Sequence, residues 1–185
     1  MSSASFAAPA PTIDRTVLPI VAPKRKLYTE LDVRDVKTTP ERFEVKAPKD
    51  APNVVVVLID DMGFGVTNTF GGPIEMPTMD NLAENGLRYN RFHTTALCAP
   101  TRSALMTGYN HHSVNMGSIT ETATSFPGNS AVRPQSITPM PEVLLQNGFN
   151  TAMFGKCHGV PPWELSVSGP QSQWPAHSGF EKFYG

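Results

Sequence analysis

Cysteine, charge and long apolar runs are all scarce in this chain of 185 residues. Two cysteines, Cys98 and Cys157, are too few for a disulfide framework, and without C-x-x-C spacing they exclude a structural zinc site of that kind. The longest purely apolar run, residues 54–59, falls far short of the roughly 18 residues that a membrane-spanning helix needs, so no membrane partner is expected. Charged residues make up 17% and the formal net charge is only -1, which argues against a disordered tail and against a basic nucleic-acid-binding protein. No Lys or Arg precedes Arg15, and Pro9, Pro11 and Pro19 interrupt the apolar stretches. The secretory pattern of a basic start and an apolar core is therefore missing, and a cytoplasmic location is expected.

Glycine is absent from residues 1–52, which instead hold 7 prolines and 16 of the charged residues. A Pro-punctuated, Gly-free, charged stretch reads as an extended arm, either loosely ordered or wrapped over a larger body. Residues 53–185 carry all 14 glycines and the remaining charges, and form the expected single domain.

That second part reads as α/β. Residues 53–59 (NVVVVLI) form a β-branched run without alternation, as expected of a strand buried on both faces of a parallel sheet, and the run stops at Asp60 and Asp61. Thr78 can cap a helix over residues 79–85, with Gly86 expected in the left-handed conformation and residues 87–95 extended beyond it. A second helix, glycine and strand follow as residues 141–147, Gly148 and residues 149–155. The alternation predicts a mixed, mostly parallel sheet flanked by helices, with ligands at the carboxyl ends of strands.

Three clusters look chemical. Adjacent carboxylates at Asp60 and Asp61 repel, and a hard divalent cation between or beside them relieves that repulsion. The alternative is that one caps the following turn while the other faces water. In Cys98-Ala-Pro-Thr-Arg102, Pro100 suits a first helical turn and Gly108 a helix end, which puts Cys98 at a helix N-terminus with Arg102 four residues on along the same face. A small buried hydrophobe is the competing role for Cys98. Beyond a strand end at Gly155, alternation would turn Lys156 and His158 to one face and Cys157 to the other, which argues against a Cys98–Cys157 disulfide. His93 reads as packing, and the adjacent His111 and His112 diverge in direction and read as a solvated loop rather than a metal pair. A redox pair of the two cysteines and a non-catalytic metal-binding or partner-binding segment are the remaining classes.

Together, VVVVLIDDMGFG, CAPTRSALMTG and GKCH resemble the N-terminal part of type I sulfatases, especially bacterial arylsulfatases, from about Asn53 to the last residue. The resemblance implies an alkaline-phosphatase-like α/β fold, with Cys98 converted by a formylglycine-generating enzyme to Cα-formylglycine. It implies that Asp60 and Asp61 hold a divalent cation, usually calcium (Ca2+), and that Arg102 stabilises the hydrated aldehyde. Lys156 would bridge that group and the substrate sulfate, and His158 would hydrogen-bond the hydrate. The implied reaction is hydrolysis of a small-molecule sulfate ester, in which one hydroxyl of the hydrate attacks sulfur and the other, once deprotonated, expels sulfate. Phosphonate monoester or phosphodiester hydrolases of the same superfamily can use the same modified residue. Family members are considerably longer, and their Asp-Asn metal pair, a further histidine and a further lysine would lie downstream of Gly185. The resemblance therefore implies an N-terminal portion that does not turn over substrate alone. Cys157 stands where the family commonly has Trp.

Overall fold

The computed structural model describes residues 13–25, 27–37 and 42–185; the rest of the expected arm, residues 1–12, 26 and 38–41, lies outside the described residues. The main elements in chain order are helix α1 (Pro77–Asn85), helix α2 (Cys98–Thr107), helix α3 (Met140–Gln146), strand β1 (Ala152–Phe154) and strand β2 (Lys182–Tyr184). Short 3-10 turns fill the intervals, among them Thr120–Thr122 and Pro162–Glu164. The strands pair in parallel, Ala152 opposite Lys182 and Phe154 opposite Tyr184. A small parallel sheet with helices is the α/β class that the alternation predicts.

Each of these three helices has a proline in its first turn, for a reason visible in its neighbours. Pro77, Pro100 and Pro141 sit in first turns, where an absent N–H costs no intrahelical bond. Pro100 and Pro141 are also fully buried, so they seat α2 and α3 as well as starting them. Ala99, Val114, Met116 and Ala131 form the core, with Ile119, Ala123 and Ile137 packed against it. Cys98, one residue before Ala99, is thereby held at the edge of the packed core.

Gly148 ends α3 with φ +82, and the Phe149 N–H reaches back to the Leu144 carbonyl at 3.1 Å in a Schellman-type closure. The N-terminal segment clasps this turn. Ala47 N–H donates to the Gly148 carbonyl at 3.1 Å, and the Arg15 guanidinium donates to the Asn147 carbonyl at 2.8 Å and to the Lys46 carbonyl. A Cβ on Gly148 would lie 2.5 Å from the Lys46 carbonyl carbon.

Several expectations are corrected. Residues 53–59 belong to no ladder among the described residues and are exposed, Val55 by 84% and Val57 by 79%. Beta-branched residues favour a strand only when another strand accepts their backbone hydrogen bonds, and none of the described residues does so here. Residues 87–95 are likewise irregular. Gly86 is extended, at φ -142 and ψ -159, rather than left-handed. Helix α1 begins at Pro77 with Met76 as its N-cap, so Thr78 lies inside the helix and does not cap it. Strand β1 ends at Phe154, and Gly155, at φ +87, turns the chain before Lys156, so strand alternation does not orient Lys156 and His158. No described helix is long and apolar enough to cross a membrane.

Gly71 and Gly148 both have positive φ, but only Gly148 is crowded, since nothing lies within 4 Å of a Cβ at Gly71. Gly71→Ala is expected to cost about 1 kcal/mol and Gly148→Ala roughly 3 kcal/mol, because the second also pushes the Lys46 backbone away. Urea unfolding of the two variants checks the ordering, and equal costs would contradict it.

Candidate active site

Three separate stretches of chain meet at Asp60. Its Oδ2 accepts from Lys156 Nζ at 2.6 Å and its Oδ1 from Arg102 Nη2 at 3.2 Å. The Arg102 Nη1 donates to the Lys156 carbonyl at 2.7 Å, so the guanidinium fixes the backbone of the residue whose ammonium shares the same carboxylate. Helix geometry puts Arg102 one turn beyond Cys98, and its side chain is only 12% exposed. Its Nε is buried and has no hydrogen-bond partner among the described residues. A buried N–H donor of this kind is costly to leave unmade and marks a place for an acceptor oxygen.

Cys98 opens α2, where unpaired N–H groups and the helix dipole favour negative charge. Its Sγ lies 2.9 Å from His158 Nδ1. The far ring nitrogen, Nε2, faces both oxygens of Glu121, at 2.9 and 3.1 Å. His158 adopts φ +51, an uncommon conformation for a residue with a Cβ.

The charges shift one another accordingly. The Lys156 ammonium holds the Asp60 carboxyl below its ordinary 3.8; burial opposes it, and Arg102 adds a lesser lowering. Asp60, and then Cys98, push the Lys156 ammonium up. The hydrogen bond from His158 lowers Glu121, and burial pushes the Cys157 thiol up.

Five of the six residues singled out in the sequence thus fall into two hydrogen-bonded groups, Asp60 with Arg102 and Lys156, and Cys98 with His158, joined through α2 and the loop after β1. Asp61 follows at φ +53, exposed, and its side chain hydrogen-bonds no described residue. Past the turn at Gly155, Lys156 bonds Asp60 while His158 faces Cys98 and Glu121. Both cysteines are free thiols. The rings of His111 and His112 do not diverge but lie 4.1 Å apart, and His111 Nδ1 is 2.9 Å from the Met116 carbonyl. No group of three or more His, Cys, Asp and Glu side chains gathers for a metal among the described residues. Glu121 escaped sequence reasoning. Its segment, Thr120–Thr122, has no spacing relation to GKCH, and only tertiary folding brings the two together.

Comparison with known proteins identifies the class. The family model described as Sulfatase matches residues 52–185. An uncharacterized sulfatase of Schizosaccharomyces pombe is 31% identical over 77% of this chain and 26% of its own length. Arylsulfatase A of Homo sapiens is 36% identical over 72% of this chain and 25% of its own, and the arylsulfatase of Klebsiella aerogenes is 34% identical over 60% and 25%. The chain belongs to the sulfatase family. It spans about a quarter of the length of these relatives.

A carboxyl lowered by its partners keeps its contacts above the ordinary value and loses them as pH falls through the lower folded value. A carbon-detected NMR titration in metal-free buffer is expected to give Asp60 a midpoint below 3.8, moving upward in Lys156→Met. A wild-type midpoint at or above 3.8 would contradict the cluster.

Proposed function

We propose that these residues form the nucleophile-bearing part of a sulfate ester hydrolase of the arylsulfatase type, with Cys98 as the precursor of Cα-formylglycine. One observation carries the reading: the Cys98 side chain, at a helix N-terminus, faces His158 at 2.9 Å beside Lys156 and a buried, unpartnered Arg102 Nε. The site fits an added oxygen, because Arg102 Nε still requires an acceptor. Hydrated formylglycine supplies two hydroxyls on one carbon, one to take the sulfuryl group and one to release it.

The roles of the chain's own groups follow from their bonds. Arg102 spends Nη1 and Nη2 on Lys156 and Asp60, which leaves Nε–H to donate to an oxygen at position 98. Lys156 has three N–H donors and gives one to Asp60, so two remain for the oxygens of an anionic sulfate. Both cations are fixed before substrate arrives, so stabilising negative charge that develops on sulfate oxygens needs little reorganisation. His158 Nδ1 faces the reacting position and can hold or return a proton there.

Asp60 and Asp61 are the residues that would hold a divalent cation, with calcium favoured by an all-oxygen carboxylate set. Lys156 and Arg102 take one acceptor position on each Asp60 oxygen, and each carboxylate oxygen offers about two, so room for a cation remains. When bound, such an ion would polarise sulfate oxygens and offset the two carboxylates. Calcium takes about six to eight oxygens, more than two carboxylates supply. The 185 residues alone are therefore expected to show no turnover. Aryl sulfates are the proposed substrates, and the maturation partner is a formylglycine-generating enzyme that recognises the Cys98–Arg102 signature.

Coexpression with that enzyme, followed by mass spectrometry of the tryptic peptide covering residues 92–102, is expected to show an aldehyde or its hydrate at position 98. A thiol that persists while a control sulfatase is converted would overturn the assignment. Parallel assays with aryl sulfate and aryl phosphonate esters are expected to show no activity above buffer for the purified chain. Measurable turnover of either would overturn the expected inactivity, and a preference for the phosphonate would redirect the substrate class.

A further inference from the structure

We propose that Glu121 is a positioning residue that fixes the His158 ring with Nδ1 aimed at position 98. The inference rests on the sulfatase reading for its catalytic meaning, while its geometry stands on the chain as it is.

His158 is held at both ring nitrogens. Nδ1 faces Cys98 Sγ at 2.9 Å, and Nε2 faces Glu121 Oε2 and Oε1 at 2.9 and 3.1 Å. A carboxylate accepts and does not donate, so Nε2 is the nitrogen that carries a proton in this contact. In the neutral ring, Nδ1 is then the acceptor and its lone pair points at the Cys98 side chain. The orientation has the logic of a nucleophile, histidine and carboxylate relay, in which the third group sets tautomer and direction without taking part in the bond changes. When an oxygen replaces sulfur at position 98, the same acceptor faces the new hydroxyl.

The segment that carries the carboxylate is anchored in the fold, while the Glu121 side chain itself is 62% exposed. Glu121 is the middle residue of the Thr120–Thr122 turn; Thr120 is buried, and Ile119 just before it packs on the core that seats Ala99. The turn and the start of α2 therefore share one anchor, which fixes the span between Glu121 and Cys98 that the imidazole bridges. His158 itself is 15% exposed on its side chain and holds φ +51, a conformation that persists when surrounding contacts determine it. Charged and titratable groups around the ring are Cys98 from α2, Glu121 from the turn and Lys156 from its own loop, whose ammonium is bonded to Asp60.

The test uses the 185-residue chain with Cys98 unmodified, so that it is independent of maturation. With nitrogen-labelled histidine, the wild-type His158 Nε2–H, held between two carboxylate oxygens, is expected to exchange slowly enough to give a proton signal, assigned by its loss in His158→Asn. Site-resolved iodoacetamide alkylation at neutral pH is expected to slow roughly tenfold at Cys98 in Glu121→Ala, while Cys157 is unchanged. Glu121→Gln retains an acceptor oxygen and is expected to stay within about threefold of wild type. A Cys98 rate unchanged in a folded Glu121→Ala overturns the proposal. Should that variant fail to fold, absence of the Nε2–H signal from the wild-type spectrum overturns it instead, and its presence supports it. Failure of formylglycine to form, read separately by mass spectrometry, would remove the sulfatase reading and leave these results standing.

Discussion

The site depends on a single carboxylate shared by two cations. Asp60 lies in an irregular, exposed stretch, Arg102 on a helix seated on the core, and Lys156 in a loop beyond a three-residue strand. No sheet joins the first to the others. The bonds from Lys156 and Arg102 to Asp60, with the bond from Arg102 to the Lys156 carbonyl, are what unite them. Each bond has a charged donor, and Arg102 is well shielded from solvent, while Asp60 and Lys156 remain partly exposed.

Packing and electrostatics divide the work. Apolar burial fixes α2 through Ala99 and Pro100 and so fixes the direction in which Cys98 and Arg102 project. The loop after β1 has little burial of its own; Gly155 and His158 both take positive φ, and hydrogen bonds to Asp60, Arg102, Cys98 and Glu121 hold it. The core-seated helix that carries Cys98 and Arg102 thus faces a loop held by the site's own polar contacts. Such an arrangement suits a centre that must present fixed donors to an anion, because charges already held in place need not reorganise during reaction.

Much of the site was legible because its residues form short local motifs. Cys98 and Arg102 are one helical turn apart, and Pro100 and Gly108 mark that helix in the sequence. Pro141 similarly marked the start of α3, whereas the start of α1 at Pro77 was missed in favour of a Thr78 cap. Strand pairing was not legible, since it depends on which backbone lies alongside: residues 53–59 have the composition of a buried strand and no ladder among the described residues. Strand alternation was expected to orient Lys156 and His158, whereas the strand ends at Phe154 and a glycine turn and hydrogen bonds to separate partners place them. Glu121, 37 residues from His158, leaves no local trace at all.

The central claim is that position 98, Arg102, Lys156 and His158 constitute one anion-facing centre next to Asp60. A crystal structure of the chain matured by a formylglycine-generating enzyme and grown with calcium and inorganic sulfate tests it most directly. The account predicts an aldehyde hydrate at position 98 in hydrogen-bond contact with Arg102 and His158, with Lys156 between that group and Asp60. An unmodified sulfur turned away from His158, with Lys156 and Asp60 apart, would contradict it.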